Sequence, residues 1–466
     1  MPPTFVEDPA TGIVTSVADN PLTFIELTPA NGIVTSLARV ANTFIELNPA
    51  NGIVSSLLRV DGTFVEVNPA TGIVTFVPNV GGGTTLGVLA ASRGQVPMNV
   101  GGAWSANTTY TREYYAHPKG AISNLKTLDT NWCWNGTAGW TAITTYTIKR
   151  FLEYPAGVFT PITWAGGTVT NRTFTSALTQ AQMTSDPVAV TIPAGAQFWI
   201  RTVWLAGTLP VLMMIGSSSN SGATDGSVAG DFGNSGTIPA NATGNTFGPP
   251  AILGDVAVSN ARSFLLMGDS ECWGGITQDS NGDYQGQGPL GGSGYMARVC
   301  DPVAPYCKLC FPGEQSSQVV TNLTASGGIN RVTNFMNALN YSEMWLEYGI
   351  NDLGIGLATP TQLLANVATL AGLVRPGAVV SASTINAVSG AANTVPWSHG
   401  VDQNTYDASI RARPTWLTGN IYDIADASMT SRDSGVWNST GGTWQQDGTH
   451  PNTHGAIGIV TNLGPI

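Results

Sequence analysis

A serine hydroxyl attacks an acyl carbon only when a base stands ready to take its proton, so the first thing to look for is a serine and a histidine that the fold could bring together. This 466-residue chain has four histidines: His117, His399, His450 and His454. His450 closes the run Asp447-Gly448-Thr449-His450. A carboxylate three residues before an imidazole can hydrogen-bond one ring nitrogen and leave the other free to accept a proton. Ser270 follows the apolar run Phe264-Leu265-Leu266-Met267 in Gly268-Asp269-Ser270. A short buried strand ending in such a turn places Ser270 beyond a strand's carboxyl end, where open α/β sheets keep their reactive crevice. His454 lies one turn beyond His450 if a helix follows Pro451, and reads as an exposed or capping residue. His117 and His399 lack comparable surroundings. No carboxylate cluster suits a metal, so the chemistry expected is acyl transfer through a serine ester, with no metal and no cofactor.

Such residues need a scaffold, and from about residue 256 strands and helices alternate. Ile329, Val332, Phe335, Met336 and Leu339 share one helical face, and 343–348 is strand-like. Thr359-Pro360-Thr361-Gln362 combines an N-cap, proline at the first helical position and a capping-box glutamine. Leu363, Val367, Leu370 and Val374 follow at helical spacing, and 378–385 returns as a buried strand. This alternation predicts a three-layer α/β domain over 256–466, a parallel sheet with helices on both faces.

Three motifs then stand in order: Gly268-Asp269-Ser270, Gly349-Ile350-Asn351-Asp352 after a strand, and Asp447-Gly448-Thr449-His450 near the end. Together they resemble the SGNH (GDSL-type) hydrolases. The resemblance covers about 256–466 and says nothing of the first 80 residues. It implies that Ser270 is the nucleophile and gives its own N–H to an oxyanion, that Asn351 donates through its side-chain amide, that His450 is general base and then acid, and that Asp447 orients it. The family's further donor, a glycine after the second strand, matches best at Gly313 in Phe311-Pro312-Gly313-Glu314, with Ser316 as the alternative, because no asparagine precedes Gly313 at the usual offset. Glu271-Cys272-Trp273 replaces the apolar residues that commonly follow the nucleophile. Glu271 is expected to point to solvent or to narrow the substrate range.

Upstream, 81–255 reads as an all-β sandwich or jelly-roll domain, with strands over 143–152, 188–192 and 197–204 and a Ser/Gly/Asn/Thr-rich surface loop at 217–246. Trp164, Trp199 and Trp204 read as core residues, with a sugar-stacking platform as the alternative. Residues 1–80 hold a repeat. Thr4-Phe5-Val6-Glu7 returns at Thr23, Thr43 and Thr63, each time followed by a Pro-Ala-(Thr/Asn)-Gly-Ile-Val turn. These read as β-hairpins, and since a lone two-stranded ribbon is marginal in water, they are expected to stack into a multichain shaft or attachment element, a trimer.

Only 10% of residues are charged and the net charge is −11. Without clustered cations, nucleic acid and acidic membranes are poor partners. No apolar run reaches the ~20 residues of a membrane span. The first residues lack a basic then apolar leader, so no secretory signal is expected. The weakly charged, hydroxyl- and amide-rich composition suits an extracellular or virion-associated protein, of the tail-fibre or tailspike kind. Of the five cysteines, Cys300 and Cys307 are expected to form a local disulfide, with Cys310 in a core strand. The function expected is ester hydrolysis on an acetylated polysaccharide. The alternatives are a glycan-binding adhesin with an inert hydrolase domain and a free esterase or lipase on small esters.

Overall fold

The structure, a computed structural model, describes residues 4–8, 13–17, 45–48, 53–58, 64–67 and 74–77, and 84–464 apart from 100–106, 135–139, 143–144, 176, 208–212, 215–224, 241–246, 275–293, 325–327, 390–396, 441–442 and 446. The chain divides into two units, Met1–Thr85 with Ala257–Asn260, and Leu86–Val256 with Ala261–Ile466. In the first, Thr4–Asp8 pairs antiparallel with Ile13–Val17, and Ile45–Asn48, Ile53–Leu58, Phe64–Val67 and Val74–Val77 form an antiparallel meander. The repeat copy that begins at Thr23 lies outside the described residues.

The second unit begins with antiparallel sheets. In the larger, the order is Phe159–Ile162, Tyr146–Glu153, Gln197–Gly207, Thr108–Ala116, Gly226–Ala229; in the smaller it is Val188–Ile192, Ile122–Leu128, Ala251–Val256, Thr85–Leu89. Arg150 of the larger sheet ties the two together. Its Nη1 donates to Thr127 Oγ1 of the smaller sheet at 3.2 Å, and both Nη atoms reach Asp129, at 2.5 and 2.7 Å. The strands on either side of Pro193 do not pair with each other: Gly195 takes a positive φ of 67°, and the turn carries the chain from the smaller sheet to the larger. The segment 217–246, expected as loop throughout, contains the strand Gly226–Ala229 at the edge of the larger sheet. Trp164 and Trp204 are fully buried, whereas Trp199 is half-buried and lines a cleft with Phe159 and Arg201.

The α/β layer is built on six parallel strands, β1 (Gly94–Gln95), β2 (Phe264–Gly268), β3 (Tyr306–Cys310), β4 (Glu343–Glu347), β5 (Val379–Ser383) and β6 (Ile421–Tyr422), in the order β6-β5-β4-β2-β3-β1. Between and after them run α1 (Ser270–Trp273), α2 (Gly294–Cys300), α3 (Ser316–Thr324), α4 (Gly328–Leu339), α5 (Ile350–Gly354), α6 (Pro360–Ala371), α7 (Gly400–Arg411), α8 (Ile424–Ser428) and α9 (Thr453–Leu463). Side chains of a strand alternate between faces, and β2 shows the result. Leu265 and Met267 join a core with Phe335 and Leu339 of α4, Val367 of α6 and Ile410 of α7. Phe264 and Leu266 join another with Met296 of α2, Ala425 of α8 and Ile459 of α9. Helices therefore cover both faces. The capping box forms as expected, with Thr359 accepting from the Gln362 N–H and the Thr359 N–H donating to Gln362 Oε1.

The same alternation overturns the expected disulfide. Cys307 faces the α4–α6 side of the sheet, while Cys300 and Cys310 face the other, so a Cys300–Cys307 bond would have to cross the sheet. The bond present joins Cys272 of α1 to Cys310 at the end of β3, with Cα atoms 5.6 Å apart, and Cys133, Cys300 and Cys307 are buried free thiols.

Candidate active site

Chain order places β3 on one side of β2 and β4 on the other, so the sheet's topological switch lies at the carboxyl ends of β2 and β4. Ser270 leaves β2 there as the first residue of α1, with Asp269 as N-cap accepting from the Glu271 N–H at 3.0 Å. Ser270 is 6% exposed.

His450 arrives from the far end of the unit on a loop shaped by its own residues. Asp447 Oδ1 accepts from the N–H groups of Thr449 (3.0 Å) and His450 (2.8 Å), a turn in which the carboxylate stands in for a backbone carbonyl. Gly448 has φ +92°, a conformation few side chains adopt. Its carbonyl accepts from Trp437 Nε1 at 3.0 Å and from the Ser389 N–H at 2.9 Å, and Asn386 Nδ2 donates to the Thr449 carbonyl at 3.0 Å. The ring is thereby held between two partners. Nδ1 donates to Asp447 Oδ2 at 2.7 Å, and Nε2 accepts from Ser270 Oγ at 2.8 Å. Burial opposes ionisation of Asp447, but the His450 ring and the two backbone N–H groups outweigh it and pull the carboxyl down to about 2. It is thus a carboxylate at neutral pH and fixes the tautomer in which Nε2 is a base.

The other expected residues lie close by. Asn351, in the first turn of α5 after β4, directs its Nδ2 to Asp269 Oδ2 at 3.2 Å and to the Glu314 carbonyl at 3.3 Å. Gly313 sits in a turn closed by the Glu314 N–H on the Phe311 carbonyl at 3.2 Å, and its φ of +76° after Pro312 is that of a type II turn. Ser316 does not serve as the alternative. Its N–H and its hydroxyl both go to Asp352, at 3.1 and 2.6 Å, anchoring α3 to α5. His454 contacts the Thr440 carbonyl at 3.3 Å and the edge of Trp444, and His117 is buried against the Arg262 carbonyl.

The expectation for Glu271 is corrected in part: it does not point to solvent. It is 0% exposed, its Oε1 lies 3.8 Å from His450 Nε2, and neither of its oxygens has a hydrogen bond among the described residues. Sequence reasoning also passed over a set of buried acids around it. Asp269, Glu314 and Glu347 are all 1% exposed or less, and burial raises the pKa of each, with the Asp352 charge adding to it at Asp269, the Asp269 and Asp352 charges at Glu314, and Asp269 at Glu347. Burial likewise pushes Glu271 well above the carboxylate range, with the Glu347, Asp269 and Asp447 charges adding to it. The signal was present as Asp269, Glu271, Glu314 and Glu347, each within a few residues of a strand end, but sequence spacing does not tell a solvated carboxyl from an enclosed one.

No protein-family model and no curated protein matches the chain. Among solved structures it is similar to a GDSL-like lipase from Bacteroides thetaiotaomicron (14% identity, 43% of this chain and 85% of that one, TM-score 0.28). A member of the lipolytic protein G-D-S-L family from Veillonella parvula matches at 12% identity over 43% of this chain and 96% of that one, with a TM-score of 0.28. A family two carbohydrate esterase from Clostridium thermocellum, in complex with cellohexaose, matches at 12% identity over 82% of this chain and 97% of that one, again with a TM-score of 0.28.

Proposed function

We propose that the chain is a serine esterase of the SGNH type. The observation that carries the reading is the continuous relay from Asp447 Oδ2 through the His450 ring to Ser270 Oγ, with contacts of 2.7 and 2.8 Å. His450 Nε2 takes the Ser270 proton as Oγ bonds to the ester carbon, and the resulting imidazolium is balanced by Asp447. The oxyanion is met by the Ser270 N–H, the Gly313 N–H and the Asn351 amide, which turns one N–H to it from its resting partners, Asp269 Oδ2 and the Glu314 carbonyl. His450 then returns the proton to the leaving alcohol, and water repeats the sequence on the acyl-enzyme to release the acid.

Within this class we read the substrate as an O-acetyl group on a bacterial surface polysaccharide. The weakly charged, hydroxyl-rich composition and the repeat at 1–80 support an extracellular or virion-borne setting. The half-buried Trp199 beside Phe159 offers a sugar an aromatic face. Acetate release from an acetylated surface polysaccharide tests the reading, with Ser270→Ala as the control. The parent should release acetate, label at Ser270 with a fluorophosphonate and turn over p-nitrophenyl acetate, and the alanine variant should do none of these. Binding of the glycan without release would mark an adhesin, and preference for long acyl chains would mark a lipase.

A further inference from the structure

The outer face of the larger antiparallel sheet carries a cleft that the relay does not use. Strand alternation puts Leu152 and Ile200 on the inner face, each 0% exposed, and turns Glu153, Trp199 and Arg201 the other way. Register then sets Phe159, Glu153 and Trp199 in one row, since Glu153 pairs with Phe159 on one neighbouring strand and with Trp199 on the other. Arg201 stands two residues along from Trp199, opposite Thr111. Residues 156–157 and 236–238 complete the lining. The cleft holds about 460 Å³, within the range of ~300–1,000 Å³ that small-molecule sites occupy.

The polar groups of the floor are fixed before anything binds. Glu153 Oε1 accepts from the Gly157 N–H at 2.9 Å, and Oε2 accepts from Arg201 Nε at 2.7 Å. Arg201 Nη1 donates to the carbonyls of Phe232, Ser235 and Gly236 at 2.9, 2.9 and 3.0 Å, and the guanidinium lies 4.5 Å over the Phe159 ring. Its Nη2 has no partner among the described residues and stays in reach of solvent. Each carboxylate oxygen of Glu153 also keeps a lone pair, and its side chain is 12% exposed. An acceptor and a donor held side by side match two neighbouring hydroxyls, one donating to Glu153 and the next accepting from Arg201. The half-buried Trp199 supplies the apolar surface on which the C–H face of a sugar ring can lie. The charges of Glu153 and Arg201 cancel, so the pair gives an anion no net attraction. We propose that this cleft is a non-catalytic site for a neutral pyranose unit of a glycan. Because its groups are already ordered, little side-chain freedom is lost on binding.

The inference goes beyond the esterase reading, because the cleft shares no residue with the relay and binding there needs neither Ser270 nor an acyl group. The full chain carrying Ser270→Ala, so that no ester on a probe is consumed, is applied to an array of neutral and uronic-acid-bearing oligosaccharides. The neutral oligosaccharide retained most strongly is then titrated by calorimetry. Neutral members should be retained, and adding Trp199→Ala should weaken binding at least about tenfold, with circular dichroism as the control for folding. Trp199→Phe, which keeps a smaller ring, should fall between the two. If the alanine variant does not fold, the phenylalanine variant decides alone, and an affinity equal to the parent's overturns the proposal. Retention of no neutral oligosaccharide, retention of acidic ones only, or binding that survives Trp199→Ala would each overturn it as well. A parent chain that binds the neutral oligosaccharide through Trp199 yet does not turn over p-nitrophenyl acetate would refute the esterase reading and uphold this one.

Discussion

Replacing Asp447 by Asn tests the relay at the link furthest from the substrate. The loop should survive, because the Asn carbonyl oxygen can still accept from the Thr449 and His450 N–H groups that Asp447 Oδ1 now holds at 3.0 and 2.8 Å. What changes is the atom facing the ring. An NH₂ in place of Oδ2, 2.7 Å from Nδ1, turns the ring to the tautomer with its proton on Nε2, where it cannot accept from Ser270. The charge is lost as well. Two unit charges ~4 Å apart at an effective dielectric of ~20 attract by roughly 4 kcal/mol. The Asp447 side chain is 43% exposed, and halving the attraction for solvent screening leaves ~2 kcal/mol, or ~30-fold in rate. A comparable factor for the wrong tautomer brings the expected fall in kcat to ~10³-fold, with KM little changed. Steady-state turnover of p-nitrophenyl acetate, with circular dichroism as the control for folding, measures it. A variant within about threefold of the parent would show that Asp447 neither orients nor stabilises the base.

Asn351→Ala should lower kcat by ~10²–10³-fold with a smaller effect on KM, and a change confined to KM would make Asn351 a substrate contact instead. Stability should fall as pH rises from about 5 to 7. Asp269, Glu271, Glu314, Glu347, Asp352 and Asp407 all have raised pKa values and hold protons in the fold that the unfolded chain has released. His117, lowered to about 4, works the other way only below the unfolded value of ~6.5, and Lys308, lowered to about 7, only between there and ~10.5. Melting temperatures that climb across that range would contradict this account. Arg150→Met leaves Asp129 buried without its ion-pair partner and should cost about 3–5 kcal/mol in urea unfolding, where a loss under 1 kcal/mol would mean that the pair contributes little. Light scattering should find the full chain trimeric and a chain starting near Gly81 smaller, whereas a monomeric full chain would refute the shaft reading.

What the sequence made legible was local or periodic. The capping box at Thr359, the strand running into Gly268-Asp269-Ser270 and the Asp447–His450 turn are each written in adjacent residues, and the structure builds each of them. What it hid depends on which face a side chain takes and what lies opposite. The pairing of Cys310 with Cys272 follows from strand alternation across a sheet whose order is not written in any short segment. A glutamate beside a nucleophile reads as solvated because most are. Glu271 is fully buried, and among the groups that act on it Glu347 and Asn386 lie far from it along the chain. The Gly226–Ala229 strand escaped notice because its pairing with Thr108–Thr111 comes from a partner more than a hundred residues away, and its own residues carry little strand preference.

The short strand β1 has a consequence for modularity. It comes from the part of the chain that builds the antiparallel sheets, yet Gly94 and Gln95 pair with Cys307 and Lys308 and close one end of the parallel sheet. Nearby, Trp132 meets Phe335 edge-on at 5.7 Å, and Trp134 stacks on Phe311 at 5.0 Å, one residue beyond β3. The antiparallel sheets and the α/β layer thus share one interior. A fragment cut at 256 would bare the backbone of β3 and two aromatic faces together, the kind of edge along which sheets aggregate. Any transplant of this α/β layer into another protein has to carry residues from about 86 onward with it, so the antiparallel sheets travel with the candidate site.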